Sequence, residues 1–542
     1  MNPVNPVDPV TRLRDVVTST ARTLAGDESI TPSLDVPPKP GMGDYSSNAA
    51  MMMAKGLGRP PREIAAELAT ELTEQLGGAV ERTEVAGPGF INLFLTDGWY
   101  RGVVGDLTAE GSAPVPPVAD PEKVLVEFVS ANPTGPLTAA SGRHAAYGDA
   151  LTRILKAAGH LVTTEYYVND GGTQVENFAL SIAARMNGEE PPENGYKGAY
   201  VNELAERAAE ERISADDLER LALTGVEWMV DSIRRSLANF GVAMDDFFSE
   251  RSLYEDNLVD RGLERLKATG HTFEEEGALW LRTTDFGDDK DRVLVRSGGE
   301  PTYFGADVAY HADKVERGFS RLVDVLGADH HGYVARMAAA IQCFERPVEF
   351  EAQILQMIHL VEGGQRTKMS KRAGDIVTLD ELVRDIGTDA ARFFMLQRSH
   401  DSTMDLDLDL ARSQSSDNPV YYVQYAHARI QSILRKAAEA GSSREGGEKA
   451  TAPVDPSEKA LIAKLLAFPA EVHEAAERRA PHRIATYASQ VAAAYHAFYR
   501  DCQVIGADGE GVEAARLNLC EVTGNTIKAS LALLGITAPD RM

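Results

Sequence analysis

The clearest chemical signal in this 542-residue chain is a pair of lysines three positions apart, Lys368 and Lys371, with Met369 and Ser370 between them. Glycines lie on both sides of the pair, which predicts a loop able to fold over a triphosphate. Two ammonium groups in such a loop can neutralise the charge that builds up on a leaving pyrophosphate. The alternative interpretation is a basic surface loop without a catalytic part.

The elements before this loop predict a nucleotide-binding fold. Residues 124–129 form a short, nearly continuous apolar run, which is typical of a strand buried in a parallel sheet. A Pro/Gly loop and a helical pattern over residues 139–157 follow it, and residues 321–326 predict a further strand. This alternation indicates the α/β fold class, with a Rossmann-like doubly wound parallel sheet.

Changes of pattern along the chain predict three domains. An N-terminal α+β pattern ends at a proline-rich stretch, and beyond residue 401 the periodicity is helical almost throughout, which predicts an all-α bundle. The predicted units are a flexible lead-in over residues 1–10, an N-terminal domain over 11–111, a linker over 112–122, a catalytic domain over 123–400 with an insertion at about 188–292, and a helical domain over 401–542.

Composition excludes several classes of protein. The chain carries 82 acidic and 55 basic side chains, a net charge of -27, so capture of nucleic acid by overall charge is excluded. Residues 411–542 nevertheless hold equal numbers of both signs, which allows a local phosphate-binding face there. No apolar run reaches the roughly 18 residues that a membrane span needs, and we expect a cytoplasmic protein. The three cysteines form no C-x-x-C pair, and no protein metal site is predicted.

Several segments of the chain resemble segments of one protein family, and they occur in the same order as in that family. The segment around Lys368 and Lys371 resembles the second signature of class I aminoacyl-tRNA synthetases, and residues 127–137 resemble the segment that leads into the first signature of arginyl-tRNA synthetases. Further segments similar to that family lie at residues 43–50, 87–92, 165–170, 326–333, 417–429 and 538–542. The resemblance therefore extends nearly end to end.

The sequence departs from the family at the first signature. Where the family has His-x-Gly-His, this chain has Thr138-Ala139-Ala140-Ser141. Thr138 and Ser141 can still donate hydrogen bonds, and the N–H groups of a helix start attract phosphate. His144, one turn after Ala140, is a candidate replacement for a lost histidine or a structural neighbour.

The resemblance implies a role for individual residues. A guanidinium is a planar fork of donors that needs carboxylates as acceptors, and a lysine cannot satisfy such a site. Adjacent histidines such as His330 and His331 lie where ligands bind in this fold, and a metal site there is only weakly supported. The implied residues are Lys368, Lys371, Thr138 and Ser141 for catalysis; Gly135, Pro136, Gly142, His330, His331, Met369 and Ser370 for ATP; Glu127, Ser130, Asn132, Tyr303 and Asp307 for arginine; and Asn48, Tyr421, Tyr425, Arg429 and Met542 for tRNA.

The family resemblance implies a monomeric enzyme that joins L-arginine to arginine tRNA, with ATP as substrate and Mg²⁺ accompanying it. Two alternatives stay open because both signature histidines are missing. One is a related enzyme that activates arginine, or another guanidino acid, for ligation outside translation. The other is a catalytically silent tRNA-binding protein. In the synthetase itself, aromatic residues such as Tyr421, Tyr422 and Tyr425 either stack on bases or pack between helices.

Overall fold

The structure is a computed structural model that describes residues 8–37, 39, 41–111, 114–344, 346, 348–366 and 377–542. Most of the predicted lead-in, residues 1–7, lies outside the described residues. Asp8 caps the first helix by accepting from the main-chain N–H of Thr11, and the proline at the first helical position lacks the N–H that a helix start leaves unpaired. The first helix therefore begins at Pro9, two residues before the predicted start.

The N-terminal unit packs helices on a small antiparallel sheet with the strand order β1-β2-β4-β3. Its elements are α1 (Pro9–Ala25), β1 (Leu34–Asp35), β2 (Tyr45–Ser47), α2 (Ala49–Leu57), α3 (Pro61–Leu76), β3 (Val80–Ala86), β4 (Phe90–Leu95) and α4 (Asp97–Glu110). The strand β4 is central in this sheet, and its Ile91, Leu93 and Leu95 are buried. This arrangement agrees with the predicted α+β pattern.

The middle unit contains the longest sheet and most of the chain. Its elements are β5 (Lys123–Glu127), α5 (Ala139–Ala157), β6 (Leu161–Val168), α6 (Gly172–Met186), α7 (Ala199–Glu210), α8 (Leu218–Asn239), β7 (Asp246–Ser249), α9 (Glu250–Glu255), α10 (Leu258–Ala268), β8 (Thr272–Glu275), β9 (Ala278–Leu281), β10 (Arg292–Val295), α11 (Tyr303–Glu316), β11 (Arg321–Gly327), α12 (His331–Gln342), β12 (Glu349–Leu355), β13 (Ile358–Glu362), β14 (Gln365–Arg366), α13 (Leu379–Ile386), α14 (Thr388–Leu396), β15 (Met404–Asp407) and α15 (Leu408–Arg412).

The main sheet is parallel throughout and has the strand order β12-β11-β5-β6-β7. Val124, Leu125 and Val126 of β5 are all buried, because helices or loops cover both faces of the sheet. From β5 the chain adds strands β6 and β7 on one side of the sheet, and it later adds β11 and β12 on the other side. The strand order therefore reverses between β5 and β11, and the carboxyl ends of these two strands border a crevice of the kind that binds nucleotides. This confirms the predicted fold class.

One strand of the main sheet comes from the stretch predicted as an insertion. The strand β7 pairs in parallel with β6 in the register Glu165 to Asp246. The region from about 188 to 292 is therefore not a separate block: it leaves the sheet, returns to it at β7, and leaves again to form the small antiparallel sheet β10-β9-β8. The sequence pattern missed β7 because the strand has only four residues.

The helix α5 crosses very close to the chain that leaves β5. A Cβ atom at Gly148 would lie 2.1 Å from Cγ of Phe128, so no larger residue fits without displacing the ring. Phe128 is fully buried at this crossing. The glycine thus sets how near the start of α5 lies to the carboxyl end of β5.

The C-terminal unit is an all-helical bundle, as predicted. Its helices are α16 (Pro419–Glu439), α17 (Pro456–Leu466), α18 (Phe468–Glu477), α19 (His482–Asp501) and α20 (Val512–Leu533). The helical periodicity of the sequence continues over residues 457–477 and predicts one helix there; this is wrong, because the helix divides at Ala467. Pro469 lies in the first turn of α18, where its missing N–H is tolerated, and inside one continuous helix it would have cost a hydrogen bond.

The three units share one core. A single cluster of buried apolar side chains includes residues from all of them. Arg392 on α14 is fully buried and joins three parts of the chain: its guanidinium forms an ion pair with Asp149 of α5 and donates to the carbonyls of Leu534, at 2.8 Å, and Phe240, at 3.0 Å. No helix in the described part combines the length and apolar character needed to cross a membrane.

Candidate active site

The chain leaving β5 adopts an unusual backbone conformation. Val129 has φ 72° and Ser130 has φ 39°, a region that residues with a side chain rarely occupy and that is least favourable for a β-branched residue. The hydroxyl of Tyr166 donates to the carbonyl of Ala131 at 2.7 Å, and the hydroxyl of Ser130 accepts from the N–H of Tyr167 at 3.1 Å. Neighbouring β6 therefore holds the strained exit in place.

Glu127, the last residue of β5, is neutralised within the protein. Its Oε2 accepts from Nζ of Lys314 at 2.6 Å and from the hydroxyl of Tyr310 at 2.9 Å, and its Oε1 accepts from Ser130 at 3.0 Å. Lys314 is fully buried and also lies 3.2 Å from Asp324. The carboxylate that the resemblance implied for arginine thus has a cation partner already.

A second buried carboxylate, Glu165 on β6, is paired in the same way. Arg317 donates to it twice, at 2.6 and 3.1 Å, and the hydroxyl of Tyr310 donates at 2.6 Å. Nearby, Nε2 of His311 lies 3.1 Å from Asp324. The carboxylates Glu127, Glu165 and Asp324 beneath the site are therefore each paired with a basic side chain.

Asp307 differs from these acids. It lies on α11 one turn after Tyr303, whose ring is 82% exposed, and the helix starts at a cap in which Thr302 accepts from the N–H of Gly305. Burial raises the pKa of Asp307 from 3.8 to about 6, and the charge of Glu127 adds to this, while His311 and Arg336 oppose it. Among the described residues, no cation forms an ion pair with its carboxylate.

Glu250 is a second acid without a cation, and sequence reasoning missed it. It begins α9 directly after β7, and its Oε2 is buried without a hydrogen-bond partner among the described residues. Burial raises the pKa of Glu250, and the charges of Asp170 and Asp307 raise it further. The signal that could have found it is its position at the carboxyl end of a strand, which was hidden because β7 had been assigned to an insertion.

Asp307 and Glu250 together can bind a planar cation. Their charges act on each other, and both act on the hydroxyls of Tyr167 and Tyr254. Two acceptor groups beside aromatic rings match the donor fork of a guanidinium. Of the other residues implied for arginine, Ser130 lies against Glu127, and Asn132 is exposed at the same edge of the sheet.

The start of α5, where the first signature would lie, is a regular helix cap. Thr138 is the capping residue: its hydroxyl accepts from the N–H of Ser141 at 3.1 Å, and the two hydroxyls lie 3.0 Å apart. The N–H of Ala139 donates to the carbonyl of Val377 at 2.9 Å. The helix start is thus fixed to the segment downstream of the second signature.

The residues around this cap have different surroundings. Gly142 is buried, and a Cβ there would lie 2.8 Å from Leu379, so the structure gives it a packing role and its ATP contact stays a prediction. Gly135 faces the ring of Tyr200, which donates to the carbonyl of Thr134 at 2.7 Å, and Pro136 is half-buried in the same loop.

The three histidines near the crevice have different surroundings. Burial lowers the pKa of His144 to about 4, with Arg143 adding to the effect, so this ring is neutral at pH 7. Its Cε1 is directed toward Gly327 at the end of β11. His330 follows that strand and is exposed, with Asp329 at 3.8 Å, and the side chain of His331 lies outside the described part.

Lys368, Met369, Ser370 and Lys371 all lie outside the described residues. Their flanks are described: β13 and β14 lead toward them, and Leu379, just beyond, donates its N–H to the carbonyl of Leu137 at 2.8 Å.

The residues predicted to contact tRNA lie on two separate units. On α16, the rings of Tyr421 and Tyr425 are stacked with centroids 6.1 Å apart, and the guanidinium of Arg429 lies 4.1 Å from the ring centroid of Tyr499. Met542 is about half exposed at the end of the tail that comes after α20 and contacts α16. Three hydrogen bonds to carbonyls of the tail fix its position: Gln424 bonds to Thr537, His427 to Pro539, and Arg435 to Asp540. Asn48, in the N-terminal unit, accepts from the N–H of Ser33 at 2.9 Å.

Family comparisons cover nearly the whole chain. Residues 11–95 match the arginyl-tRNA synthetase N-terminal domain, residues 107–430 match the catalytic domain of class I tRNA synthetases (R), and residues 423–542 match the DALR anticodon binding domain.

Individual relatives agree with these matches. The chain is 45% identical to an arginine–tRNA ligase of Shouchella clausii over 95% of both chains, and 43% identical to one of Kineococcus radiotolerans over 99% of this chain and 100% of that one. Among solved structures, it superposes on the Thermus thermophilus arginyl-tRNA synthetase with a TM-score of 0.77 at 26% identity, covering 98% of this chain and 100% of that one. A putative arginyl-tRNA synthetase of Campylobacter jejuni gives 0.76 at 33% identity, covering 83% and 100%. With these matches along its whole length, the chain belongs to the arginyl-tRNA synthetase family.

Proposed function

We propose that this arginine–tRNA ligase selects its amino acid with Asp307 and Glu250. In the first step, the arginine carboxylate attacks the α-phosphorus of ATP, the bond to the β-phosphate breaks, and pyrophosphate leaves. In the second, the 3′-terminal ribose of arginine tRNA attacks the carbonyl carbon, loses its proton and releases AMP. Both steps depend mainly on positioning and on stabilising developing charge. The observation that carries the assignment is the pair of carboxylates without a cation partner.

The acid pair explains selection of arginine against lysine. A guanidinium can donate to Asp307 and Glu250 at once, whereas a single ammonium leaves a buried acceptor unpaired. Glu127 is unsuited to be the main guanidinium acceptor because Lys314 already neutralises it. We assign Glu127, Ser130 and Asn132 to the α-amino end of arginine.

The ATP phosphates are assigned to the crevice between β5 and β11. Thr138, Ser141 and the start of α5 supply donors there, although each hydroxyl already takes part in the helix cap. The further residues that we propose to contact ATP are Gly135, Pro136, Gly142, His330, His331, Met369 and Ser370. Lys368 and Lys371 are proposed to stabilise the leaving pyrophosphate.

Mg²⁺ is proposed to accompany ATP. Among the described residues, no group of three acidic, histidine or cysteine side chains is placed to hold a metal ion. The ion would therefore be bound mainly by the phosphates themselves, as is usual for Mg²⁺ at nucleotide sites.

The tRNA contacts are assigned to both ends of the chain. The stacked rings of Tyr421 and Tyr425, with Arg429 and Met542 nearby, support an anticodon-binding face on the helical unit. Asn48 is assigned to the N-terminal unit's contact with tRNA. We further propose that the enzyme acts as a monomer in the cytoplasm.

The deciding experiment is charging of purified arginine tRNA with labelled arginine and ATP. Lys371→Ala should abolish most of this charging while leaving tRNA affinity unchanged, because the lost ammonium acts on pyrophosphate and not on tRNA. Lys267→Ala, an exposed lysine on α10, is the matched control and should charge normally.

Pyrophosphate exchange with and without tRNA separates the two alternatives. Exchange without any charging of tRNA would favour ligation outside translation. Binding of tRNA with neither exchange nor charging would favour a silent tRNA-binding protein.

A further inference from the structure

Arg143, in the second turn of α5, is buried to 2% exposure and makes an unusual set of contacts. Its Nη1 donates to the carbonyls of Gln356, at 2.6 Å, and Met357, at 3.5 Å. Its Nη2 donates to the carbonyls of Ser399, at 3.0 Å, and Ser402, at 2.9 Å. One guanidinium thus holds main-chain atoms of two distant segments.

These two segments are the roots of neighbouring strands, meaning the residues that lead directly into each strand. Gln356 and Met357 connect β12 to β13, and residues 399–402 lead from α14 into β15, which pairs in parallel with β13. The segments also bond to each other: the N–H of Gln356 donates to the carbonyl of His400 at 2.9 Å, and the N–H of Met404 donates to that of Met357 at 3.1 Å. Arg143 therefore anchors α5 to the point from which both strands begin.

The burial of this charge is costly. Buried charges normally pair with an opposite charge, yet the charge of Asp401 acts on Arg143 only from beyond ion-pair distance, and no other carboxylate in the described part of the chain forms an ion pair with it. Burial lowers the pKa of Arg143 only to about 10, so it stays charged at neutral pH. A methionine could fill a similar volume without the desolvation cost. What an apolar side chain cannot do is fix four carbonyls in a defined geometry.

The same helix is fixed a second time at its start. The N–H of Ala139 donates to the carbonyl of Val377, and the N–H of Leu379 donates to the carbonyl of Leu137. These bonds hold the start of α5 against residues 377–379, while Arg143 holds the helix against the segments that lead into β13 and β15. Without signature histidines, the first turn of α5 holds phosphates only through hydroxyls and N–H groups, whose hydrogen bonds weaken steeply when they are displaced.

We propose that Arg143 is a positioning residue for ATP: its guanidinium fork fixes the first turn of α5 against the roots of β13 and β15, so that Thr138 and Ser141 meet the phosphates. This inference rests on the ATP site proposed above. It predicts a loss confined to the use of ATP, because the acid pair for arginine and the tyrosines of α16 lie on other elements.

The test uses Arg143→Lys and Arg143→Met in the full chain, with pyrophosphate exchange measured in the presence of arginine tRNA. Arg143→Met should lower kcat/KM for ATP about 30-fold, equivalent to about 2 kcal/mol. Arg143→Lys keeps the charge but loses the fork, and should lower it about 10-fold. The KM for arginine and the Kd for arginine tRNA should each change less than about threefold.

Arg392→Lys is the matched control, since Arg392 is also fully buried and also bonds to main-chain carbonyls, but it lies at the junction with the C-terminal unit. It should lower the thermal unfolding midpoint and leave kcat/KM for ATP within about threefold. The proposal is overturned if folded Arg143 variants keep their efficiency with ATP, if their arginine and tRNA affinities fall in step with it, or if Arg392→Lys shows the same pattern.

If Arg143→Met does not fold, Arg143→Lys is judged by the same criteria. If the wild type charges tRNA and the Arg143 variants use ATP with normal efficiency, this inference is wrong and the proposed function is unaffected. A wild-type enzyme that neither exchanges nor charges would remove the proposed function itself.

Discussion

Nζ of Lys314 lies 2.6 Å from Oε2 of Glu127 directly beneath the proposed arginine site, and the lysine is completely buried. This pair removes one negative charge from the site, whereas Asp307 and Glu250 form no ion pair within the described part of the chain. A substrate with one delocalised positive charge is therefore favoured over a neutral amino acid.

The first prediction concerns the acid pair. Asp307→Asn and Glu250→Gln should each lower kcat/KM for arginine by about 100-fold or more. In either variant, N–H groups of the bound guanidinium are buried without the carboxylate that accepts from them in the wild type. The KM for ATP should stay within about threefold. Steady-state charging at varied arginine checks this, with Glu255→Gln, an exposed acid on the same helix, as the control. Equal losses in the control would contradict the assignment.

The second prediction concerns pH and stability. The pKa of Asp307 rises from 3.8 in the unfolded chain to about 6 in the folded chain, so between these values the folded chain binds more protons and its stability falls as pH rises. Asp307→Asn should therefore stabilise the free enzyme at pH 7.5, by up to about 3 kcal/mol. The gain should shrink as the pH falls toward 4.5.

Thermal unfolding at several pH values measures this effect. In the same range, kcat/KM for arginine in the wild type should fall below about pH 6, since protonated Asp307 loses its charge. A variant that is less stable than the wild type at pH 7.5 would show that Asp307 is not destabilised by burial.

The third prediction concerns Lys314. Lys314→Met leaves Glu127 and Asp324 buried without their cation and should cost about 3–5 kcal/mol of unfolding free energy. The double variant Lys314→Met/Glu127→Gln should regain part of this loss because one uncompensated charge is gone. Denaturant unfolding measures both, and Lys267→Met on the surface is the control. Additive losses in the double variant would argue against a coupled pair.

The fourth prediction concerns α16. Tyr425 is 39% exposed beside Tyr421, so Tyr425→Ala should raise the KM for arginine tRNA about tenfold if the ring stacks on a base. The KM for ATP and for arginine should not change. Tyr425→Phe keeps the ring and should keep tRNA affinity. A lower unfolding midpoint with normal tRNA use would show instead that the ring serves packing between helices.

Local patterns predicted the fold well where one element is long or fully apolar. The helix over residues 139–157 has the predicted bounds, because its apolar spacing begins right after a threonine cap and ends with a short turn before β6. The strand β5 was recognised by its continuous apolar run. The division of the helix at Ala467 was missed because the apolar spacing continues across it, although Pro469 carried the signal.

The site assignment stays a prediction. The family resemblance named Asp307 and Glu127 as candidates, but it did not indicate the ion pair that distinguishes them: Lys314 contacts Glu127 across 187 positions of sequence. Glu250 was hidden because a four-residue strand gives too little periodicity to place it in the sheet. Long-range pairing of this kind is a property of the folded chain and leaves no local pattern.

Arg392 also bears on how the chain can be divided. Its guanidinium belongs to the middle unit, while one of its acceptors, the carbonyl of Leu534, belongs to the helical bundle. A fragment cut near residue 412 would leave this charge in an open apolar surface on one side and an unpaired carbonyl on the other, beside a core cluster that spans the cut. The helical bundle should therefore be studied by substitution in the intact protein, since a separately expressed piece would expose its own interior.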